Sequence, residues 1–340
     1  MFIMKTEYRM KKKIILLFLT FFLFSCGRER STVKEWSLSL DNSEDSVTYI
    51  LAEKFKQELE MKSQGSIHLN LFPNAVLGGD RESIESCQMG EITFVVQNTA
   101  PQVNFIPEVA IFDMFNIFPD IQIARRVLDS DFLSKIQPYY CEKRLVCLGY
   151  GDQHFRELTS NRNITSLKHL SGLKIRTMQN PNHIRYWSLL GANPTPMIWG
   201  EVYLGLQQNS IDAQENPYES IVASKVYEQQ KYIIETHHIL HTVSLIMNQS
   251  TYDKLSEEEK VWVKEAAKAA IVYSRKKADE RIENRKEIIR NYGIEILEVN
   301  TSFKEDMNRI SKEANQFIEQ KIEKDLVQEL YKAIEREKND

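Results

Sequence analysis

The chain has 340 residues, with 44 Lys+Arg against 48 Asp+Glu, 42% hydrophobic residues and four cysteines. The length suits about two domains, and the apolar share excludes a disordered chain. A formal net charge of −4 argues against a general nucleic-acid binder, and so few cysteines exclude a disulfide scaffold.

Lys11, Lys12 and Lys13 precede an apolar run from Ile14 to Phe24, followed by Ser25 and Cys26. A basic stretch, a short apolar core and a small residue at the cleavage point make a secretory signal, expected over residues 1–25. The run is about 11 residues, short of the roughly 20 that span a bilayer. Leu23-Phe24-Ser25-Cys26 resembles a bacterial lipobox, in which the cysteine is lipidated and becomes the mature first residue. An uncleaved anchor is the alternative. No second apolar run of spanning length follows, so the remainder is expected to be soluble and outside the cytoplasm. The cysteines after Cys26 are Cys87, Cys141 and Cys147, an odd set in which Cys141–Cys147 is the only sequence-close pair.

In chain order, Glu35–Leu40 alternates as a strand, Asp41–Ser46 is a capping loop, and a helix runs from about Val47 to Met61. Ile67, Leu69 and Leu71 mark a second strand ended by Pro73. A turn-rich loop with Gly78-Gly79 leads to a short helix, Arg81–Met89, and an apolar strand, Ile92–Val96. A second block repeats the pattern. Strands are expected at Leu145–Tyr150, His154–Ser160 and Leu173–Thr177, and helices at Pro181–Leu190 and Glu201–Gln208. Ser210–Gln214 reads as extended and Tyr218–Lys225 as a helix start. Ser256 and Glu259 form a capping box opening a helix that persists to Gly293, about 36 residues or roughly 55 Å. Such a helix outruns one domain and is expected to link two; a coiled coil is the alternative. Ile294–Val299 is a short strand, and the chain from Phe303 is amphipathic helix. Alternating strands and helices imply largely parallel sheets.

The sequence has no P-loop, no strand-linked GxGxxG and no HExxH. His237, His238 and His241 cluster without metal-ligand spacing. Ser171 and Lys174 match SxxK, but Gly172 opposes a helix there and no KTG follows. Asp212 and Glu215 beside Pro217 read as structural before they read as an acid–base pair.

The informative stretch is Ser171–Pro217. In Gly172-Leu173-Lys174-Ile175-Arg176, alternation puts Leu173 and Ile175 on one face and Lys174 and Arg176 on the other. A guanidinium offers a planar fork of donors that matches a carboxylate. Facing a cleft, Arg176 would take a ligand carboxylate; facing solvent, it would be an ordinary strand arginine.

Together with Leu190–Met197, Glu201-Val202-Tyr203 and Asp212–Pro217, this stretch resembles the DctP-type solute-binding proteins of tripartite ATP-independent periplasmic (TRAP) transporters. Phe72-Pro73-Asn74, Leu77–Arg81, Phe155-Arg156, Tyr227-Glu228 and Gln230-Lys231-Tyr232 match as well, in the expected order along nearly all of the mature chain. The resemblance implies an α/β, two-domain flytrap fold, each domain a mostly parallel sheet flanked by helices. The expected division is 34–153 plus about 242–281 for domain I, and 154–241 plus about 282–340 for domain II.

It also implies ligand-binding residues. Arg176 corresponds to the arginine that pairs with the ligand carboxylate, and Arg156 supplies further polar contacts. Asn216 hydrogen-bonds the ligand, and Trp199 lines the pocket. Gln97 and Asp80 are the positional choices from domain I, and Gln179 completes the polar set. Core packing for Trp199 and a turn role for Asn216 stay open. Ala213 stands where the family often has glycine, and His154 stands where glycine is frequent before the Phe-Arg pair. The expected function is capture of an organic acid: a sugar acid first, with C4-dicarboxylates and sialic acid as alternatives. Delivery is to the small and large subunits of a membrane permease, from the periplasm, with the protein anchored by lipidated Cys26. No cofactor, metal or chemistry is implied. The rivals are a sensor subunit for a membrane receptor, an exported hydrolase and a structural lipoprotein.

Overall fold

The computed structural model describes residues 33–339; the expected signal segment and Cys26 lie outside the described residues. The first elements are β1 (Lys34–Ser39), α1 (Val47–Lys62), β2 (Ile67–Phe72), α2 (Asp80–Met89) and β3 (Phe94–Asn98). Two 3-10 turns, Ala100–Asn104 and Pro107–Asp113, lead to α3 (Ile121–Asp129) and α4 (Phe132–Glu142). Next come β4 (Leu145–Phe155), β5 (Glu157–Ser160), α5 (Leu167–Leu170), β6 (Lys174–Thr177), α6 (Pro181–Leu189) and β7 (Asn193–Pro196). Then follow α7 (Val202–Gln207), β8 (Ala213–Asn216), α8 (Tyr218–Ala223), β9 (Tyr232–Glu235), β10 (Leu240–Asn248) and α9 (Gln249–Asp253). The chain ends in α10 (Glu257–Asn291), β11 (Glu295–Glu298), α11 (Thr301–Glu319) and α12 (Lys324–Asn339).

These strands form a five-stranded sheet, β2-β1-β3-β10-β4, and a six-stranded sheet, β11-β9-β5-β8-β6-β7. In the first, β1 and β3 are parallel and β10 lies antiparallel between β3 and β4. In the second, β5 opposes β8 and β9, while β6 runs with β7 and β8, and β11 with β9. Each sheet is therefore mostly parallel, as the βα pattern implies.

Three connections join the sheets. The first is the β4–β5 passage at Arg156, whose N–H donates to Ile239 O at 2.9 Å. The second is the return from β9 to β10. The third is α10, which carries Val263, Ala266, Ala267 and Ala270 in the core under the first sheet and Ile289 in the core under the second. The alanines let α10 lie close on α1, and the Ser256–Glu259 capping box starts it as expected. Gly293, at φ +95°, follows its C-cap.

Several boundaries differ from the sequence reading. The two strands expected at 145–150 and 154–160 are present as 145–155 and 157–160, with the break moved to Arg156. Gly149 and Gly151 let the first of these strands pass beneath α10 and α1: a Cβ on Gly149 would sit 2.6 Å from Ile271 Cδ1. β8 starts at Ala213 because Ser210 and Ile211 still hydrogen-bond back to Gly205 O, closing α7. The terminal helix is two helices. The second, α12, turns Leu326, Val327, Leu330 and Ile334 into the cluster that holds Val127, Leu128 and Ile136 of α3 and α4. That packing sets α12 against α3 and α4, which flank the first sheet. Cys87, Cys141 and Cys147 are all free thiols.

Candidate functional site

The ends of β1, β6 and β7 point their following loops toward one space, as carboxyl ends of parallel strands do in α/β folds. Asp41 follows β1, Met178 and Gln179 follow β6, and Met197 and Trp199 follow β7. Asp80 arrives as the first residue of α2. Gly78 makes the turn into it, with φ +104° and a position where a Cβ would sit 2.6 Å from Glu82 Cβ. Together these segments line a cavity of about 670 Å³, within the usual range of small-molecule sites. Asn104 Nδ2 donates to Gln179 O at 2.8 Å across its edge.

Arg176 is the centre of this cavity's chemistry. The alternation of β6 works as the sequence implies: Leu173 and Ile175 are fully buried in the apolar cluster, and Arg176 emerges on the cavity face. Its residue is only 3% exposed. Nε and Nη2 donate to Met197 O at 3.0 and 2.7 Å. No carboxylate among the described residues lies within salt-bridge distance of it. Its guanidinium stands 5.4 Å from the centroid of the Trp199 ring, a cation–π arrangement. Trp199 spends its indole N–H on Ser224 Oγ at 3.2 Å, so it offers the cavity an apolar face and a fixed orientation.

The structure thus brings together four of the residues expected from the sequence: Arg176, Trp199, Asp80 and Gln179. Arg156, Asn216 and Gln97 do not line the cavity. Arg156 is locked by Glu215: Nε and Nη2 bond its carboxylate, and Nη1 meets His241 Nδ1. Asn216 is buried and donates to Gln214 Oε1 at 2.6 Å. Gln97 is buried with neither amide atom partnered, the condition a water or ligand relieves. His154 adopts φ +66°, the backbone region that explains glycine at that position, and meets Asp279 Oδ1 of α10 at 2.7 Å. It does not line the cavity.

Asp41, Asn104 and Phe105 line the cavity without having been singled out. The one available signal was an acid placed directly after a parallel strand; Asp41 reads equally well as part of a capping loop.

Burial and the charge of Arg156 lower Arg176 to about 10, still ionised at neutral pH. Burial and the charge of Asp41 push Asp80 up to about 8, against the opposing pull of Arg176. Asp41 is raised by burial as well. Beneath the cavity, Glu215 stays well below the usual carboxylate range. Burial pushes it up, but Arg156, His183 and His238 together outweigh that. Of the histidine cluster, His238 and His241 are buried members of this network. Among the described residues, no group of three or more His, Cys, Asp or Glu is placed to hold a metal ion. Asp212, the other member of the acid pair seen in the sequence, bonds Arg162 and Lys174 instead.

Known proteins resemble this chain in sequence and fold. The family model for bacterial extracellular solute-binding protein, family 7 (DctP), matches residues 38–322. The sialic acid-binding periplasmic protein SiaP of Vibrio cholerae is 34% identical over 257 residues, 75% of this chain and 78% of that protein. The 2,3-diketo-L-gulonate-binding periplasmic protein YiaO of Escherichia coli is 30% identical over 258 residues, 76% and 79% of the two chains. The crystal structure of the sugar acid binding protein DctPAm from Advenella mimigardefordensis, in complex with galactonate, superposes with a TM-score of 0.86. It is 27% identical and covers 89% of this chain and 98% of that one. No helix among the described residues is long and apolar enough to cross a membrane. Proteins of this kind are periplasmic transport components, not enzymes; they bind small organic acids and work with membrane permeases. With the match running from β1 through α11, this chain belongs to the DctP family, family 7 of the bacterial extracellular solute-binding proteins.

Proposed function

We propose that this chain is an extracytoplasmic lipoprotein that captures an organic acid through a carboxylate–Arg176 pair and delivers it to a TRAP-type permease for ion-gradient-driven uptake. One observation carries the reading: Arg176 is nearly fully buried on a cavity wall, with only a backbone carbonyl to accept its hydrogen bonds. A buried charge without a counter-ion is costly, and an incoming carboxylate removes that cost. Closure then excludes water and strengthens the pair. Asp80 and Gln179 supply polar contacts, and the Trp199 face receives carbon backbone. Arg156 and Asn216 act from behind the wall, and Gln97 through its unpartnered amide.

A sugar acid is the first choice of ligand. Relatives named for 2,3-diketo-L-gulonate and galactonate binding support it, and one named for sialic acid fits the same chemistry. The two closing bodies are residues 34–153 plus about 242–281, and 154–241 plus about 282–323, with α12 travelling with the first. Lipidation at Cys26 rests on the lipobox pattern and is tested by fatty-acid labelling of Cys26→Ala.

The test of binding is thermal unfolding of the mature domain, unfolded and refolded to strip carried-over ligand, against sugar acids, dicarboxylates, sialic acid and neutral sugars. A ligand at about 100 times its dissociation constant adds roughly 2.7 kcal/mol. A shift with acids and none with the matching neutral sugars is expected. A shift only with neutral ligands sinks the carboxylate pair.

A further inference from the structure

The cavity has two chemically opposite walls. Arg176 on β6 and Met197 and Trp199 after β7 come from the second sheet's side, and Asp41 after β1 and Asp80 at the start of α2 from the first sheet's. The carboxylates of Asp41 and Asp80 accept no hydrogen bond and form no ion pair among the described residues. Each senses Arg176, and Asp80 senses Asp41. The other nearby cations are placed differently. Arg81 lines the cavity's edge with its side chain 70% exposed and its Nε on Glu85 at 3.1 Å, whereas the buried Arg156 is held by Glu215. Once Arg176 takes one carboxylate, no second buried guanidinium or ammonium among the described lining residues awaits another.

We propose that Asp41 and Asp80 act as a selector. They require hydrogen-bond donors, hydroxyl or ammonium, at the end of the ligand remote from its carboxylate, and they turn away a second carboxylate there. The inference rests on the reading that Arg176 binds the ligand carboxylate and narrows it to donor-bearing monocarboxylates. Before a ligand binds, Asp80 holds a proton at neutral pH. Donors on the ligand stabilise the ionised, acceptor-only forms of Asp41 and Asp80, so binding of such a ligand draws that proton off. Hydroxyl and ammonium groups both meet that need, and bonds to an ionised acceptor are the stronger kind. A dicarboxylate instead brings like charge against two desolvated acids, which disfavours ionisation of the whole group. A site built to bond a ligand's donors also discriminates strongly against the analogue that lacks them.

Matched ligands test this by calorimetric titration of the refolded domain at neutral pH. Galactonate and galactarate differ only in a terminal hydroxymethyl against a carboxylate. The pair 5-aminopentanoate and adipate differ only in a terminal ammonium against a carboxylate. Succinate and sialic acid complete the panel. The selector predicts that a monocarboxylate binds at least about tenfold tighter than its matched dicarboxylate. Asp41→Asn or Asp80→Asn should shrink that ratio by about threefold or more, chiefly by improving the dicarboxylate. The first pair showing the effect assigns hydroxyl donors; the second assigns ammonium.

A dicarboxylate binding as tightly as its partner overturns the selector, as does a ratio unchanged in both variants. Arg176→Ala separates the two readings. If it abolishes binding while the ratios stay flat, only the selector fails; if binding survives it, the carboxylate reading fails too. Silence from every ligand overturns both. Thermal unfolding of the unliganded Asn variants confirms that they fold.

Discussion

Arg156 Nη2 donates to Glu215 Oε1 at 2.9 Å, and the two side chains are 1% and 0% exposed. The pair divides the labour between two arginines, one at the β4–β5 passage and one on β6. Arg156 has its counter-ion built in, whereas Arg176 meets the cavity without one. The first organises the floor of the cleft; the second is left to a ligand.

Arg176→Ala is expected to cost at least about 2 kcal/mol of ligand binding, roughly thirtyfold in affinity, the scale for losing one partner of a buried charge pair. Arg176→Lys keeps the charge but loses the planar fork held on Met197 O, so it should recover only part. Titration of the best ligand against both variants checks this. Equal affinity in Arg176→Ala removes the residue from the site.

Glu215→Gln leaves Arg156 buried without its counter-charge and is expected to destabilise the fold by about 3–5 kcal/mol. The carboxyl of Glu215 is held well below its ordinary value, so its contribution is present above the unfolded pKa and lost as pH falls through the folded one. Urea titrations at neutral pH and below pH 4 should therefore show the gap between wild type and variant closing in acid. A gap that stays constant would mean the pair is not what the substitution removes.

How much of this was legible follows from which physics acts locally. The α1, α6 and α10 starts were readable because Ser46, Asn180 and Ser256 cap their own helices within a few residues. Arg176 stood out because β6 alternates, and strand alternation alone decides its face. β10 gave no signal: all nine of its residues are buried, polar and apolar alike, between two strands distant in sequence. Asp41 was hidden for the related reason that its role depends on Arg176, which only the tertiary fold brings opposite. Arg156 shows the reverse. The Phe-Arg motif was visible, but the partner that occupies it, Glu215, sits on a separate strand.

Asp80 ties binding to pH. Its folded pKa, near 8, lies above the unfolded value near 3.8, so the native state holds the extra proton between those limits. Stability of the unliganded protein should fall as pH rises through that window. Asp80→Asn cannot ionise and should flatten the decline, gaining about 1–2 kcal/mol over wild type above pH 8 once screening by cavity water is allowed for. Parallel stability–pH curves for the two proteins would contradict it.

Gly149→Ala tests the passage of β4 beneath α10. The added methyl would meet Ile271 Cδ1 at 2.6 Å, at a residue whose φ is +149°. Overpacking of this kind costs about 1–3 kcal/mol. Because Ile271 is the obstacle, Ile271→Val in the same chain should restore part of the loss. Denaturant midpoints measure both, and an unaffected single variant would mean that α10 moves aside freely.

The last relationship to probe is a three-way bridge on α10. Asp45, just before α1, and Glu219, in α8, both bond Arg285, with Nη2 at 2.8 Å from Asp45 Oδ2 and Nε at 3.2 Å from Glu219 Oε1. Segments flanking the two sheets thus meet on one guanidinium. Burial drives Glu219 up to about 7 even though Arg285 opposes it. Without Arg285, the carboxyl would more readily keep its proton than stay ionised. Arg285→Ala should therefore destabilise more at pH 8, where an ionised Glu219 is left with Arg281 alone, than at pH 5, where the acid is already neutral. Adding Glu219→Gln should recover part of the loss at pH 8, with a coupling energy of about 1–3 kcal/mol in the double-mutant cycle. Strict additivity at both pH values would show that Arg285 holds α10 by packing alone.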